Sequence, residues 1–184
     1  HNFDFIFLSE TFSAKFPGFL FPDYSVFISP PVRLTNAATA RLSGGVVLLI
    51  RKTLKNHILL METEYDNCVV VRISKVLTGL AADCILLGMY LPPSQSMYYS
   101  ETDIYNGISL LEQCLLDIFE VAGDLPIIVY GDLNARTGDK NGRDVQFLDV
   151  FDDNRIDFDE GNAHSRISKD VCINDFGRYL LNVC

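Results

Sequence analysis

Cysteine, histidine and positive charge are all in short supply, and each shortage narrows the field. The five cysteines are odd in number and contain no Cys-x-x-Cys pair, which argues against a disulfide framework or a zinc knuckle. Cys68, Cys84 and Cys114 sit within apolar patterns and read as small buried thiols in a reducing compartment. Three histidines, His1, His57 and His164, stand outside any catalytic motif. No apolar run approaches the ~20 residues of a membrane span; Val46 to Ile50 is only strand length. No basic, apolar leader is visible, and the chain opens almost at once in a strand pattern, as a piece of something longer would. Bases number 15 against 24 acids, a net charge of −9. That is awkward for any protein that grips phosphates with lysine and arginine. Two readings reconcile it: acids cluster away from the contact face, or basic contacts lie in flanking sequence. An acidic centre that holds a cation would also reverse the local field.

What remains is an ordinary globular composition, 48% hydrophobic over 184 residues, read as a single domain spanning 1–184. Strand patterns fall at about 3–9, 24–29, 45–51, 57–62, 67–75, 83–90 and 126–131. Val69-Val70-Val71 and Ile85-Leu86-Leu87 are apolar at successive positions, as in sheets covered on both faces. A helix is expected over 101–121, with a capping box at Ser100 and Asp103 and a stop at Gly123 and Pro126. A second is expected from about Asp170, burying Phe176, Leu180 and Leu181. Segments 31–43 and 92–101 read as surface loops. In the latter, Tyr98 and Tyr99 either stack on bases or pack on the helix. The acidic stretch around Asp149 to Glu160 lacks calcium-loop spacing and reads as a solvated loop. No repeat or low-complexity tract is present.

The most informative run is Ile127-Ile128-Val129-Tyr130-Gly131-Asp132-Leu133-Asn134. An apolar strand meets a glycine where a side chain would clash, and a carboxylate and a carboxamide follow. An acceptor for a proton or metal beside a neutral donor suits the handling of phosphate and water. Two other strands repeat the arrangement. Phe3-Asp4-Phe5-Ile6-Phe7-Leu8-Ser9-Glu10-Thr11 delivers an acid, and Cys84 through Pro93 delivers Tyr90 into a proline-closed turn. Three strands each ending in a polar group form a site pattern.

These motifs, together with Ser43-Gly44-Gly45-Val46-Val47 and Gly131-Asp132-Leu133-Asn134-Ala135-Arg136-Thr137-Gly138, carry a family likeness. The chain resembles the endonuclease/exonuclease/phosphatase superfamily, of deoxyribonuclease I-like fold. More narrowly, it resembles the endonuclease domain of non-LTR (LINE-type) retrotransposon polyproteins. The resemblance implies an α/β fold, a four-layer αββα sandwich that is incomplete here. It implies Mg²⁺- or Mn²⁺-dependent hydrolysis of phosphodiesters in DNA, with Glu10 as principal metal ligand and Asp132 orienting or deprotonating the attacking water. Asn134 and Tyr90 donate hydrogen bonds to phosphate oxygens in the same reading, and Asp132 joins Glu10 as a metal ligand. Arg136 is either a phosphate contact or the partner of a loop acid. The family further carries an earlier asparagine and a terminal Asp and Ser-Asp-His that have no counterpart in this chain, so activity near background is expected. The implied setting is intracellular, nuclear or cytoplasmic, beside a reverse transcriptase in one polyprotein. Two alternatives stay open: a catalytically dead remnant that binds nucleic acid or protein, and a phosphatase of the same superfamily.

Overall fold

In chain order the elements are β1 (Phe5–Leu8), β2 (Tyr24–Ser29), β3 (Val32–Leu34), β4 (Arg41–Ser43), β5 (Val46–Arg51), β6 (Ile58–Met61) and β7 (Cys68–Ile73). They continue with α1 (Lys75–Thr78), β8 (Cys84–Tyr90), α2 (Tyr98–Glu101), α3 (Gly107–Ala122), β9 (Ile127–Asp132) and α4 (Asp175–Val183). The computed structural model describes residues 3–13, 15–35, 41–102, 106–136 and 172–183. It divides into two compact units, residues 1–133 and 134–184.

Alternation builds the core of the first unit. Val46, Leu48 and Ile50 of β5 face Val69, Val71 and Ile73 of β7 and Cys84, Leu86 and Tyr90 of β8 in one buried cluster. That cluster joins a sheet of order β1-β5-β2 to a sheet of order β6-β7-β8-β9. Val47 and Leu49, the alternate residues of β5, are buried as well, so its apolar run is covered on both faces. The same holds for Ile85, Leu87 and Met89 of β8. On that outer face lies α3, which buries Ile108, Leu111, Cys114 and Ile118 along one stripe. Cys114 there reaches Cys68, and Asp117 accepts the Tyr65 hydroxyl at 2.7 Å. The unit is therefore an α/β sandwich of two facing sheets with a helix outside one of them. All pairings are antiparallel except β8 with β9, which α3 connects as a parallel crossover. Among the described residues no helix is long and apolar enough to cross a membrane.

Two expectations need correction, and one open alternative is decided. The segment 31–43 holds a small two-stranded sheet, β3 with β4, anchored by fully buried Leu34. The long helix starts later than the Ser100 box proposed. Ser100 Oγ donates to the Met97 carbonyl, the short α2 stops at Thr102, and Asn106 caps α3 by accepting from Ile108 N and Ser109 N at 2.9 and 3.0 Å. Tyr98 is fully buried, so it offers no face to a base, and Tyr99 donates to the Pro92 carbonyl. Both tyrosines are engaged inside the protein, as part of α2 and against each other, rather than presented for stacking. The buried state of Cys68, Cys84 and Cys114 is as read from the sequence.

Burial pushes the Tyr98 hydroxyl up to about 12, with Asp66 adding to the effect. Tyr65 also rises to about 12, chiefly because Asp117 accepts its proton-bearing hydroxyl. Both folded values exceed the unfolded one, near 10. The stability they provide is complete below pH 10 and is lost as pH climbs through about 12. Melting temperature should be flat from neutrality to about pH 9.5 and then fall, and the double variant Tyr65→Phe, Tyr98→Phe should flatten that fall. An unchanged alkaline limb in the double variant would assign the loss to other groups.

The second unit is described over 134–136 and 172–183. Asn174 organises it, accepting from Gly177 N at 2.8 Å in the manner of a cap for α4. Arg136 N donates to its side-chain oxygen at 2.9 Å, and Asn174 N returns a bond to the Arg136 carbonyl at 3.1 Å. The expected helix thus begins at Asp175 rather than near Asp170, with Phe176 buried. The acidic stretch from Asp149 to Glu160 and His164 lie outside the described residues, as does His1.

Candidate active site

Several strand ends of the first unit coincide. β1 runs antiparallel to β5, so Leu8 stands opposite Val47, just beyond the Gly44-Gly45 turn. β8 and β9 finish together with Tyr90 paired to Asp132, and β7 begins beside them with Cys68 opposite Met89. Phe7 ties the two sheets at this end. Its ring meets Tyr130 of β9 edge to face at 5.5 Å. Gly88 of β8 makes room for it, since a Cβ there would come 2.9 Å from Phe7 Cε2. Phe7, Gly88 and Tyr130 each precede a candidate residue by two or three positions, so this packing sets the spacing of the groups that follow.

Tyr90 donates its hydroxyl to Glu10 Oε1 at 2.7 Å. The bond spans 80 residues of sequence and crosses from one sheet to the other. The donor is buried and the acceptor exposed, so an anchored phenol aims a carboxylate that faces solvent. Glu10 does not continue β1. Its backbone has turned to φ 53°, and Phe12 follows at 47°, both in the left-handed region. Such geometry costs on the order of 1–3 kcal/mol per residue and persists only where neighbours impose it. Here Thr11 N and Phe12 N donate to the carbonyls of Gly45 and Gly44, each at 3.1 Å. The glycine pair is required on the other side of the contact, because a Cβ on Gly45 would come within 2.7 Å of Thr11 Oγ1.

Asp132 closes β9 and is exposed, its carbonyl accepting from Leu91 N at 2.9 Å. Gly131 lies within β9 rather than ending it. At φ 144° it brings its α-carbon so close to β8 that a Cβ would overlap the Met89 carbonyl oxygen at 1.9 Å. The apolar residues of β9 are more exposed than their pattern implied: Ile128 is 48% accessible and Tyr130 also 48%. Among the described residues β9 is an edge strand, which accounts for it.

The structure thus gathers Glu10, Tyr90 and Asp132 at one end of the first unit. Asn134 belongs to the second, with φ 48° and its carbonyl accepting from Asn174 Nδ2 at 2.8 Å. Sequence reasoning missed Asn67, fully buried at the same end and also left-handed at φ 59°. The one available signal was the Asp66-Asn67 pair ahead of a strand, which looks like any turn.

As a cation site, Glu10 and Asp132 supply hard carboxylate oxygens, the donor type that suits Mg²⁺. The Tyr90 bond engages only one oxygen of Glu10, leaving the second available for a ligand. Among the described residues no group of three or more His, Cys, Asp and Glu side chains is poised around a common point. An ion there would have only one or two carboxylates and would keep much of its water.

Fold and strand-end acids together define a two-sheet α/β protein with an exposed carboxylate site. Neither a protein-family model nor a curated protein sequence matches this chain. Among solved structures it is similar to the human Nocturnin catalytic domain, determined with a bound sulfate anion, at 18% identity and a TM-score of 0.44. The match covers 72% of this chain and 52% of that one, so the chain spans about half the length of the solved domain.

Proposed function

We propose that this chain is a metal-assisted phosphoester hydrolase of the endonuclease/exonuclease/phosphatase type, acting on DNA as the endonuclease region of a retroelement polyprotein. The observation that carries the reading is the Tyr90–Glu10 hydrogen bond across the two sheets, with Asp132 paired in register to Tyr90. A buried donor, an aimed carboxylate and a second exposed carboxylate at one end are what hydrolysis at a phosphate requires.

Glu10 is the residue that would hold Mg²⁺ or Mn²⁺, with Asp132 beside it in that role. A bound divalent ion supplies neutralisation of charge that builds on the phosphate. Asp132 accepts the proton of the attacking water and orients it. Tyr90 fixes the Glu10 carboxylate with its one hydroxyl proton and could donate to a phosphate oxygen only by releasing Glu10, and the motif resemblance gives Asn134 the part of a neutral amide donor. The intracellular setting and the partnership with a reverse transcriptase belong to this proposal and come from the motif resemblance.

One property favours a second reading, a phosphatase of small substrates. With 24 acids against 15 bases, the chain pays an electrostatic penalty on a polyanion that a small phosphate ester largely escapes. Supercoiled plasmid and p-nitrophenyl phosphate, each with Mg²⁺ at low salt, separate the two. The endonuclease reading expects slow nicking of plasmid that Asp132→Asn reduces by about 10²-fold. Hydrolysis of the small ester alone would move the substrate class, and Asp132-independent turnover on both would overturn the hydrolytic assignment.

A further inference from the structure

Asn67 is the residue at this end of the molecule that the proposed chemistry does not use. Its side chain is 0% exposed, and it holds the left-handed conformation that asparagine tolerates better than most residues. Three contacts radiate from it. Its Oδ1 accepts from Gly45 N at 2.7 Å, a buried bond that joins the start of β7 in one sheet to the start of β5 in the other. Its carbonyl accepts from Tyr90 N at 2.9 Å. Its side chain also fills the space above Gly44, where a Cβ would lie 2.0 Å from Oδ1. Gly44 and Gly45 in turn accept from Phe12 N and Thr11 N, the two residues after Glu10. From Asn67, one path of hydrogen bonds leads through the glycine turn to the backbone of Glu10, and another leads directly to the backbone of Tyr90.

We propose that Asn67 is a positioning residue for this site: its buried amide oxygen and carbonyl fix the distance between the Gly44-Gly45 turn and Tyr90, and so hold together the two halves of the Tyr90–Glu10 hydrogen bond. A donor and acceptor on separate sheets meet at 2.7 Å only if the sheets keep one spacing at that end. Asn67 Oδ1 is the buried polar tie between them. Its Nδ2 lies toward the Tyr98 hydroxyl without a well-formed hydrogen bond, so the tie to the glycine turn rests on the oxygen. An aspartate keeps that oxygen and can accept from the Tyr98 hydroxyl on the other, so it should hold the geometry at a cost in stability for its buried charge, whereas a glycine, which keeps only the backbone conformation, should not hold it. The consequence for metal binding rests on the hydrolytic reading above; the geometric claim does not.

The test uses the full chain with ¹³Cζ-labelled tyrosine, so that the Tyr90 resonance reports its hydroxyl bond. Tyr90→Phe assigns the signal, and Glu10→Ala gives its position with the bond broken. Asn67→Gly should move the resonance to the Glu10→Ala position and weaken Mn²⁺ affinity, read by water-proton relaxation, by about 10-fold. Asn67→Asp should leave the resonance in place and Mn²⁺ affinity within about twofold of wild type, well short of that loss. Ile73→Ala, a core truncation at the far end of β7, should lower the melting temperature without moving the resonance. A folded Asn67→Gly chain whose Tyr90 resonance stays at the wild-type position overturns the proposal. Should that variant not fold, Asn67→Asp and amide exchange decide: loss of the Tyr90 signal position in Asn67→Asp, or a Gly45 amide in wild type that exchanges like an exposed one, overturns it equally. A resonance that moves as expected in a chain that binds no Mn²⁺ upholds the positioning role and sinks the hydrolytic reading instead.

Discussion

Glu10→Ala should remove divalent-ion binding and lower any phosphoester hydrolysis to background, a loss of at most roughly 10²–10³-fold, the range lost when a charge-stabilising group is deleted. Glu10 is the carboxylate that the structure aims, through a buried phenol and a turn held by two backbone bonds. Wild-type affinity should be weak, around ~10⁻³ M, because Mg²⁺ dehydrates reluctantly and one or two carboxylates give it few protein ligands. Stability should fall by about 1–3 kcal/mol, because the buried Tyr90 hydroxyl loses its carboxylate acceptor, while alanine at φ 53° keeps the strain already present. Glu10→Gln sharpens the comparison. It keeps an acceptor for the Tyr90 hydroxyl yet loses the charge, so it should bind Mn²⁺ as poorly as the alanine variant. Calorimetry or Mn²⁺ relaxation reads all three chains, and binding unchanged in Glu10→Ala places the ion elsewhere.

Gly131→Ala should be the most destabilising single methyl group one can add to the first unit. The new Cβ would stand 1.9 Å from the Met89 carbonyl oxygen, 2.9 Å from its carbon and 3.1 Å from Met89 N. All three are backbone atoms of the paired strand, so no side chain can swing aside. β9 has to part from β8, and φ 144° is unfavourable for alanine in any case. A loss of about 3–5 kcal/mol is expected, with the melting temperature falling by roughly 10–20 °C. Gly79→Ala is the control: it too has positive φ, at 72°, in the left-handed helical region, but a Cβ there meets nothing within 4 Å. Its cost should stay near 1 kcal/mol. Equal losses in the two variants would mean that the strand contact at Gly131 contributes nothing.

Much of this was legible where the pattern had one physical cause. β5, β7 and β8 read correctly because burial on both faces demands unbroken apolar runs, and those runs stood out. β9 has the same composition but lies at an edge among the described residues, so the sequence implied more burial than the strand has; position in a sheet leaves no mark on a strand's own residues. β3 and β4 escaped notice because three-residue strands carrying Arg33 and Arg41 show no period, and their anchor is the single residue Leu34. The start of α3 was displaced because Ser100 with Asp103 and Asn106 with its two backbone donors both satisfy capping chemistry. Only the actual chain path chooses between them. At the site, the strand-end acids and Tyr90 could be picked out by type and order. The left-handed turn at Glu10 could not, since it is imposed by Gly44 and Gly45, more than thirty residues away. Asn67 was invisible for the same reason: its importance lies in what it reaches, not in its neighbours along the chain.

The 80-residue gap bridged by the Tyr90–Glu10 bond has a consequence for the chain as it is made. Ribosomes add about 5–20 residues per second, so on the order of 4–16 seconds separate the appearance of the acceptor from that of its donor. Through that interval Glu10 has only local support, and β9, parallel to β8, can join only after α3 has emerged and crossed over. Loop closure over such separations is slow, and a stalled or prematurely released chain would carry the first carboxylate without the phenol that aims it. Under the hydrolytic reading, any cation-dependent chemistry would therefore require a chain completed through β9.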